Sequence, residues 1–214
     1  GRCRYTVVLS TEIGVDITAE ELQNQYDRVI ITSGASVPRD LKVPGRELHG
    51  VQFAVDYLTE CTKNVLKYGK EATSKKLAGK HVVVIGGGDT GNDCIGSAIR
   101  QGAASVKQLE ITPQLPQTRT AANPWPEYPM VNRTGYGQEE GLVANEEKLT
   151  YYSTSTTAFI GAERGQVIAI ETTQVDERFQ PIDGTEQVLK ADLVLLAMGF
   201  TGAEQRLLDG FFCP

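Results

Sequence analysis

The chain has only two histidines, His49 and His81, and its four cysteines, Cys3, Cys61, Cys94 and Cys213, stand far apart with no CxxC pair. Closely spaced thiols are what an iron–sulfur cluster or a structural zinc needs, so no metal site is expected in this chain. The same scatter is not a disulfide framework. A reducing, cytoplasmic setting is expected, with the thiols acting as small core hydrophobes. Two histidines in these contexts do not assemble a Ser/His/Asp or Cys/His nucleophile, so no catalytic side chain is assigned. Basic residues are outnumbered, 21 against 27, which leaves a net charge of −6 and argues against a nucleic-acid surface. Long apolar runs are missing too. The longest, such as "ADLVLLAMGF", are strand-sized, so no membrane span is expected, and the chain opens on Gly1 without a charged and apolar leader, so no signal peptide is expected.

Glycine, by contrast, is plentiful, and three glycines fall together in "HVVVIGGGDTGNDCIGSAIRQG", which starts at His81. A run of β-branched residues enters Gly86, Gly87 and Gly88, and a helical stretch leaves them. Gly86, Gly88 and Gly91 satisfy G-x-G-x-x-G between a strand and a helix. The first permits the tight turn, the second lets a pyrophosphate approach the backbone, and the third lets helix and strand pack closely. The helix start then offers unpaired N–H groups and a positive dipole end to phosphate. With "SVKQLEI" as the next strand, the order is that of a βαβ unit with parallel strands. The reading is a dinucleotide cradle, with a merely structural glycine turn as its alternative.

Around this unit the pattern predicts further elements. "RYTVVLSTEIG" reads as a strand and turn, "TAEELQNQY" as a helix capped by Thr18, and "DRVIITSGA" as a buried strand. Pro38 and Pro44 mark a loop. "VQFAVDYLTECTKNVLKYGKE" has mostly helical spacing and a stop at Gly69. From Thr112 to about Leu149 the chain carries five prolines and the only tryptophan, with little periodicity; a long loop of this kind in a compact domain is usually functional. Residues 150 to 190 alternate like strands around a turn at "DERFQPIDGTEQ", which reads as an added β-hairpin region. "ADLVLLAMGF" is a last buried strand and echoes "YDRVIITSGA" in having an aspartate, four apolar residues and a small-residue turn.

Several residues near the glycine turn carry two readings each. An acidic residue at the end of the second strand bonds the ribose 2′-OH of NAD, and Glu110 sits there; an arginine would accommodate the 2′-phosphate of NADP, and Arg119 lies shortly beyond. Solvation of Glu110 and a surface ion pair for Arg119 are the bland alternatives, so NADH against NADPH stays open. Asp89, Thr90 and Asp93 invite a catalytic reading, but capping and phosphate contacts by Asp89 and Thr90 are favoured. Glu139 and Glu140 would either approach the nicotinamide end or be solvated.

"VVVIGGGDTGNDCIGSAIRQGAASVKQLEI", followed by "PQTRTAANPWPEYP", resembles the pyridine-nucleotide domain of the glutamate synthase small (beta) subunit and the matching region of single-chain glutamate synthases. "YDRVIITSGASVPRDLKVPGRELHGVQFAVDYL" and "ADLVLLAMGFTGAE" extend the resemblance over essentially the whole chain. It implies an α/β, Rossmann-like domain, a parallel sheet flanked by helices, inserted in an FAD-type domain. Residues 1–45 would then be a partial FAD-domain segment, 46–199 the NAD(P)H-binding domain and 200–214 the return to the FAD domain. It implies NADPH or NADH bound at Gly86, Gly88, Asp89, Thr90 and Gly91, with Met198 and Gly199 beside the nicotinamide. FAD and iron–sulfur clusters would belong only to the full-length enzyme. The implied partners are the missing FAD domain and the large subunit or domain; a homodimer of the fragment would cover edge strands left without a sheet. The implied activity is hydride delivery from NAD(P)H to FAD. A related flavin-dependent oxidoreductase of ferredoxin or pyrimidine type, and a nucleotide-binding module without turnover, are the rival readings.

Overall fold

The computed structural model describes residues 5–73, 75–144 and 148–211. Cys3 and Cys213 lie outside the described residues. From the N-terminus come α1 (Ala19–Gln25), β1 (Val37–Pro38), β2 (Val51–Phe53) and α2 (Ala54–Tyr68). A 3-10 turn, Lys70–Thr73, precedes β3 (His81–Ile85), α3 (Asp89–Arg100) and β4 (Ser105–Leu109). Then follow α4 (Tyr136–Ala144), β5 (Thr150–Tyr151), β6 (Thr154–Gly161), β7 (Val167–Gln174) and β8 (Gln187–Lys190). The chain closes through β9 (Leu193–Leu196), β10 (Phe200–Gly202) and α5 (Gln205–Asp209). It divides into two units, residues 1–39 with 200–214, and residues 40–199.

The larger unit is built on a five-stranded parallel sheet ordered β2–β9–β3–β4–β5. Its central strands are near-continuous apolar runs because both faces are covered. Successive side chains alternate between those faces. Val82 and Val84 point to a cluster with Ala54, Tyr57, Cys94, Ile95 and Ala98 of α2 and α3. Val83 and Ile85 join a second cluster with Phe159, Val167, Ile170 and Leu189. Those four come from the antiparallel sheet β6–β7–β8, which lies over the other face. The expected β-hairpin is therefore a three-stranded sheet and serves as the second cover of the core. Gly69 ends α2 at a φ of +80°, as the helix-stop reading requires. Burial pushes the Cys94 thiol up to about 12, so this cysteine is an inert core group.

In the smaller unit Thr18 caps α1 in a full capping box with Glu21. The Glu21 N–H donates to Thr18 Oγ1 at 3.1 Å, and the Thr18 N–H donates to Glu21 Oε2 at 2.8 Å. Hydrogen bonds from the Thr18 backbone and side chain hold the Glu21 carboxyl below its ordinary range. The carboxylate half of the box therefore contributes fully above the ordinary range and is lost as pH falls below it through the lowered native value, while the bond from the Glu21 N–H to Thr18 Oγ1 does not titrate. Thr18→Ala is expected to cost about 1 kcal/mol of local helix stability, read as faster amide exchange in α1 at neutral pH. β1 pairs antiparallel with β10, Val37 opposite Gly202 and Pro38 opposite Phe200. Arg206 of the closing segment forms an ion pair with Glu12.

Two expected strands are corrected here. Residues 5–9 and 26–35 form no ladder, and Leu9 and Ile30 are 79% and 85% exposed. Apolar sequence makes a strand only where a partner supplies the hydrogen bonds, and neither segment has one among the described residues. Two more corrections concern element boundaries. The expected helix over Val51–Tyr68 begins as the strand β2, which pairs with β9 far along the chain. The proline-rich stretch expected to be a loop carries α4 at its end.

Candidate nucleotide site

β3 delivers the chain to Gly86 at the carboxyl edge of the sheet. The Gly86 N–H donates to the Leu109 carbonyl at 2.8 Å, and the Ala197 N–H donates to the Ile85 carbonyl at 2.8 Å. Gly86 has a φ of +123°, and a Cβ there would stand 2.7 Å from the Ala197 carbonyl carbon. It is wedged between the ends of β4 and β9, where only glycine fits. A Cβ on Gly91 would meet the Gly86 carbonyl, so the first turn of α3 rests directly on the end of the strand. Gly88, the α3 N-cap, is the opposite case: its backbone is extended, no side chain caps it, and nothing stands within 4 Å of the place a Cβ would take. The first helix bond runs from the Asn92 N–H to the Gly88 carbonyl, so the amides of Asp89, Thr90 and Gly91 precede the ladder and point out of it. The three glycines thus differ: two are packed tight and one faces open space.

Glu110, just past β4, leans on this turn. Its Oε1 accepts from the Thr112 N–H and hydroxyl, each at 3.0 Å, and its Oε2 lies against the Gly87 backbone, where a Cβ would collide with it. A cavity of about 270 Å³ opens beside the turn, lined by Gly87, Asp89, Glu110, Tyr128 and Arg133 among others. It sits at the carboxyl ends of β3 and β4, the position where open α/β sheets bind ligands. Asp89 is the first helical residue rather than the N-cap, as is Thr90 the second; the side-chain capping expected of them is corrected to an acidic first turn that complements the helix dipole.

One residue that the sequence reading missed holds the turn in place. Gln108 of β4 is fully buried. Its Nε2 donates to the Gly86 carbonyl at 3.0 Å, and its Oε1 accepts from Gln138 Nε2 at 2.9 Å and Thr150 Oγ1 at 3.1 Å. The sequence signal is slight, a carboxamide between Lys107 and Leu109 in a strand that already carries Ser105 and Lys107. Gln138 brings α4 with it: its N–H donates to Asn92 Oδ1 at 3.0 Å. α4 sits so close to α3 that a Cβ on Gly137 would overlap the Asn92 carbonyl and one on Gly96 would stand 3.0 Å from the Tyr136 ring. The Tyr136 hydroxyl donates to Asp93 at 2.7 Å, which raises the phenol above its ordinary range. Glu140 pairs with Arg100 near the far end of α3, whose guanidinium also lies 5.2 Å over the Tyr136 ring. Asp93 and Glu140 are thus structural partners between the two helices, and Glu139 is exposed.

The structure gathers Gly86, Gly87, Gly88, Asp89, Thr90, Gly91 and Glu110 at one edge. Met198 follows Ala197, half-buried against the second core cluster, and Gly199 is exposed at a φ of +78°. Arg119 is not brought into the cavity. Its guanidinium donates to the carbonyls of Asn123 at 3.2 Å and Glu127 at 2.8 Å, lacing the proline-rich loop. Among the described residues no group of three His, Cys, Asp or Glu side chains gathers to hold a metal, and no helix is long and apolar enough to cross a membrane.

The pyridine nucleotide-disulphide oxidoreductase family matches residues 4–127. The glutamate synthase [NADPH] small chain of Bacillus subtilis is 43% identical over 213 residues, covering 95% of this chain and 43% of that protein. Glutamate synthase [NADH] of Saccharomyces cerevisiae is 40% identical over 211 residues, 95% of this chain and 10% of that one. The chain therefore spans less than half the length of these relatives. Among solved structures, FprA of Mycobacterium tuberculosis in complex with NADPH shares the fold, with a TM-score of 0.57 at 19% identity over 90% of this chain and 54% of that chain. By this sequence match, over more than half of its length, the chain belongs to the pyridine nucleotide-disulphide oxidoreductase family.

Proposed function

We propose that this chain is the nicotinamide-nucleotide-binding part of a glutamate synthase-type oxidoreductase. Such an enzyme takes hydride from NADH or NADPH to FAD and makes glutamate from glutamine and 2-oxoglutarate. The observation that carries the reading is the open face of Gly88 between the two packed glycines. The names of the relatives support the enzyme class. A bound nicotinamide supplies the hydride, and the chain supplies orientation and electrostatics. Gly88 would admit the pyrophosphate to the backbone, the amides of Asp89, Thr90 and Gly91 would donate to it, and Met198 and Gly199 would border the nicotinamide. Gln108 fixes the carbonyl of Gly86 so that the turn keeps this shape without rearranging.

On the same reading the smaller unit is part of an FAD domain completed by chain outside residues 1–214. The exposed apolar side chains of Tyr5, Leu9 and Ile30 suit strands whose sheet is finished elsewhere. Iron–sulfur clusters and a large subunit would then carry the electrons onward.

Gly88→Asp tests the cradle. Aspartate is a favoured N-cap and suits the extended backbone there, so stability should change by no more than about 0.5 kcal/mol. Its charge would meet the pyrophosphate, so affinity for NADH and NADPH should fall about 30-fold, about 2 kcal/mol. Calorimetric titration of both nucleotides reads this, and undiminished binding by the folded variant would remove the phosphate role of the turn.

A further inference from the structure

Tyr57 and Cys61 stand one turn apart on the face of α2 that packs into the first core cluster. Tyr57 is 3% exposed, and Cys61 is half-buried. Against them lies Gln101, the C-cap of α3, itself 5% exposed. Its backbone is tied on both sides: the N–H donates to the Ser97 carbonyl at 3.1 Å, and the carbonyl accepts from the Leu77 N–H at 3.0 Å. Its side chain reaches a thiol, with Nε2 donating to Cys61 Sγ at 3.0 Å. A cavity of about 400 Å³, lined by Cys61, Val65, Ser97 and Gln101 among others, opens Cys61 to small molecules. It lies at the opposite end of α3 from the glycine turn.

Two polar atoms in this cluster are unsatisfied. The Tyr57 hydroxyl and Gln101 Oε1 are buried and have no hydrogen-bond partner among the described residues. The hydroxyl stands beside the Cys61 thiol. Burial, and then that thiol, raise the phenol above its ordinary range, so it keeps a proton to donate. Turning the Gln101 carboxamide over does not cure the fault. The Cys61 S–H would then donate to Oε1, but Nε2 would occupy the buried place with no acceptor. A buried donor and a buried acceptor without partners cost stability, and a thiol, weak in both capacities, answers neither.

We propose that Cys61 is a site of oxidation by hydrogen peroxide, and that Tyr57 and Gln101 hold the sulfenic acid it forms. The thiolate form of Cys61 attacks one peroxide oxygen; the S–O bond forms, the O–O bond breaks, and the departing hydroxide takes up a proton to become water. Sulfur gives up two electrons, and the peroxide takes them. The oxygen of the new S–OH group accepts from the Tyr57 hydroxyl, and its proton is donated to Gln101 Oε1. One added oxygen thus satisfies both buried atoms. Cys94, the other described thiol, is fully buried and does not line the cavity. Oxidation therefore falls on Cys61 and spares Cys94.

The test treats the full chain with hydrogen peroxide, traps sulfenic acid with dimedone and locates the label by peptide mass spectrometry. Label on Cys61 should exceed that on Cys94 by about tenfold or more. The thermal midpoint of the oxidised, untrapped chain should rise by about 2 °C, because two buried groups gain partners. Cys61→Ser should show no such rise. Tyr57→Phe keeps the ring and removes the hydroxyl, so its sulfenic acid is held less well and passes on to sulfinic acid. Its label should drop about fivefold, and its midpoint should not rise on oxidation. Equal label on Cys61 and Cys94, direct passage of wild-type Cys61 to sulfinic acid, or a midpoint that falls on oxidation would each overturn the proposal. The wild-type label and midpoint decide it even where a variant fails to fold.

Discussion

Gly86→Val is expected to destabilise the larger unit by about 4 kcal/mol and to abolish nucleotide binding with it. The backbone there holds a φ of +123°, and the first carbon of any side chain would collide with the Ala197 carbonyl on the neighbouring strand. Forcing a β-branched residue into such a conformation costs about 1–3 kcal/mol, and overpacking against main chain adds a comparable amount. Neither side can yield cheaply, because Ala197 is itself tied to Ile85 and Gly86 to Leu109. In thermal unfolding the midpoint should fall by about 10 °C. A wild-type midpoint would mean that β3 and β9 do not meet at this glycine. The contrast with Gly88→Asp is informative, since two glycines two residues apart should separate stability from binding.

Gln108→Leu is expected to cost about 3 kcal/mol in urea denaturation. The substitution keeps the volume but leaves the Gly86 carbonyl, the Gln138 carboxamide and the Thr150 hydroxyl without their partner. Each unpaired buried group costs about 1–3 kcal/mol, offset in part by the leucine's own burial. The loss should show first where Gln108 reaches across to α4, as earlier proteolysis of residues 112–144 than of the sheet. Gln108→Glu should be worse than leucine, because it sets a carboxylate against the Gly86 carbonyl with no water to screen it. An unchanged urea midpoint in Gln108→Leu would show that the network is not formed.

The parts of this fold legible in the sequence are those whose cause is local. β3, the glycine turn, α3 and β4 are encoded within about thirty residues, by a strand pattern, a turn composition and a helix period that agree. Thr18 and Gly69 are legible for the same reason: a cap is chemistry between near neighbours. β2 was not, because three residues of strand are indistinguishable from the first turn of the helix they feed, and their partner β9 is far along the chain. α4 was hidden since its docking rests on glycines at 135, 137 and 141 instead of an apolar stripe. The segments 5–9 and 26–35 show the converse failure, in which apolar pattern promises strands that no neighbour among the described residues completes.

At the candidate site the glycines and Glu110 were readable by position. Arg119 and Arg133 were not distinguishable, since which of two arginines in a proline-rich segment faces a cavity depends on how Asn123 folds the loop. Gln108 was invisible as a functional support for a further reason. Its value lies in three partners on three elements, none of which a linear pattern announces.

The pairing of Val37 with Gly202 and Pro38 with Phe200 has a mechanical meaning. Neighbouring strands lie about 4.8 Å apart, so the chain departs for residues 40–199 and comes back through one narrow gate. Tension along the polypeptide would load that short antiparallel rung from its open end and unzip it, Val37 from Gly202 first. The same gate makes residues 40–199 a cassette: a tight turn joined across Arg39 and Phe200 would remove them without asking the remaining strands to change register.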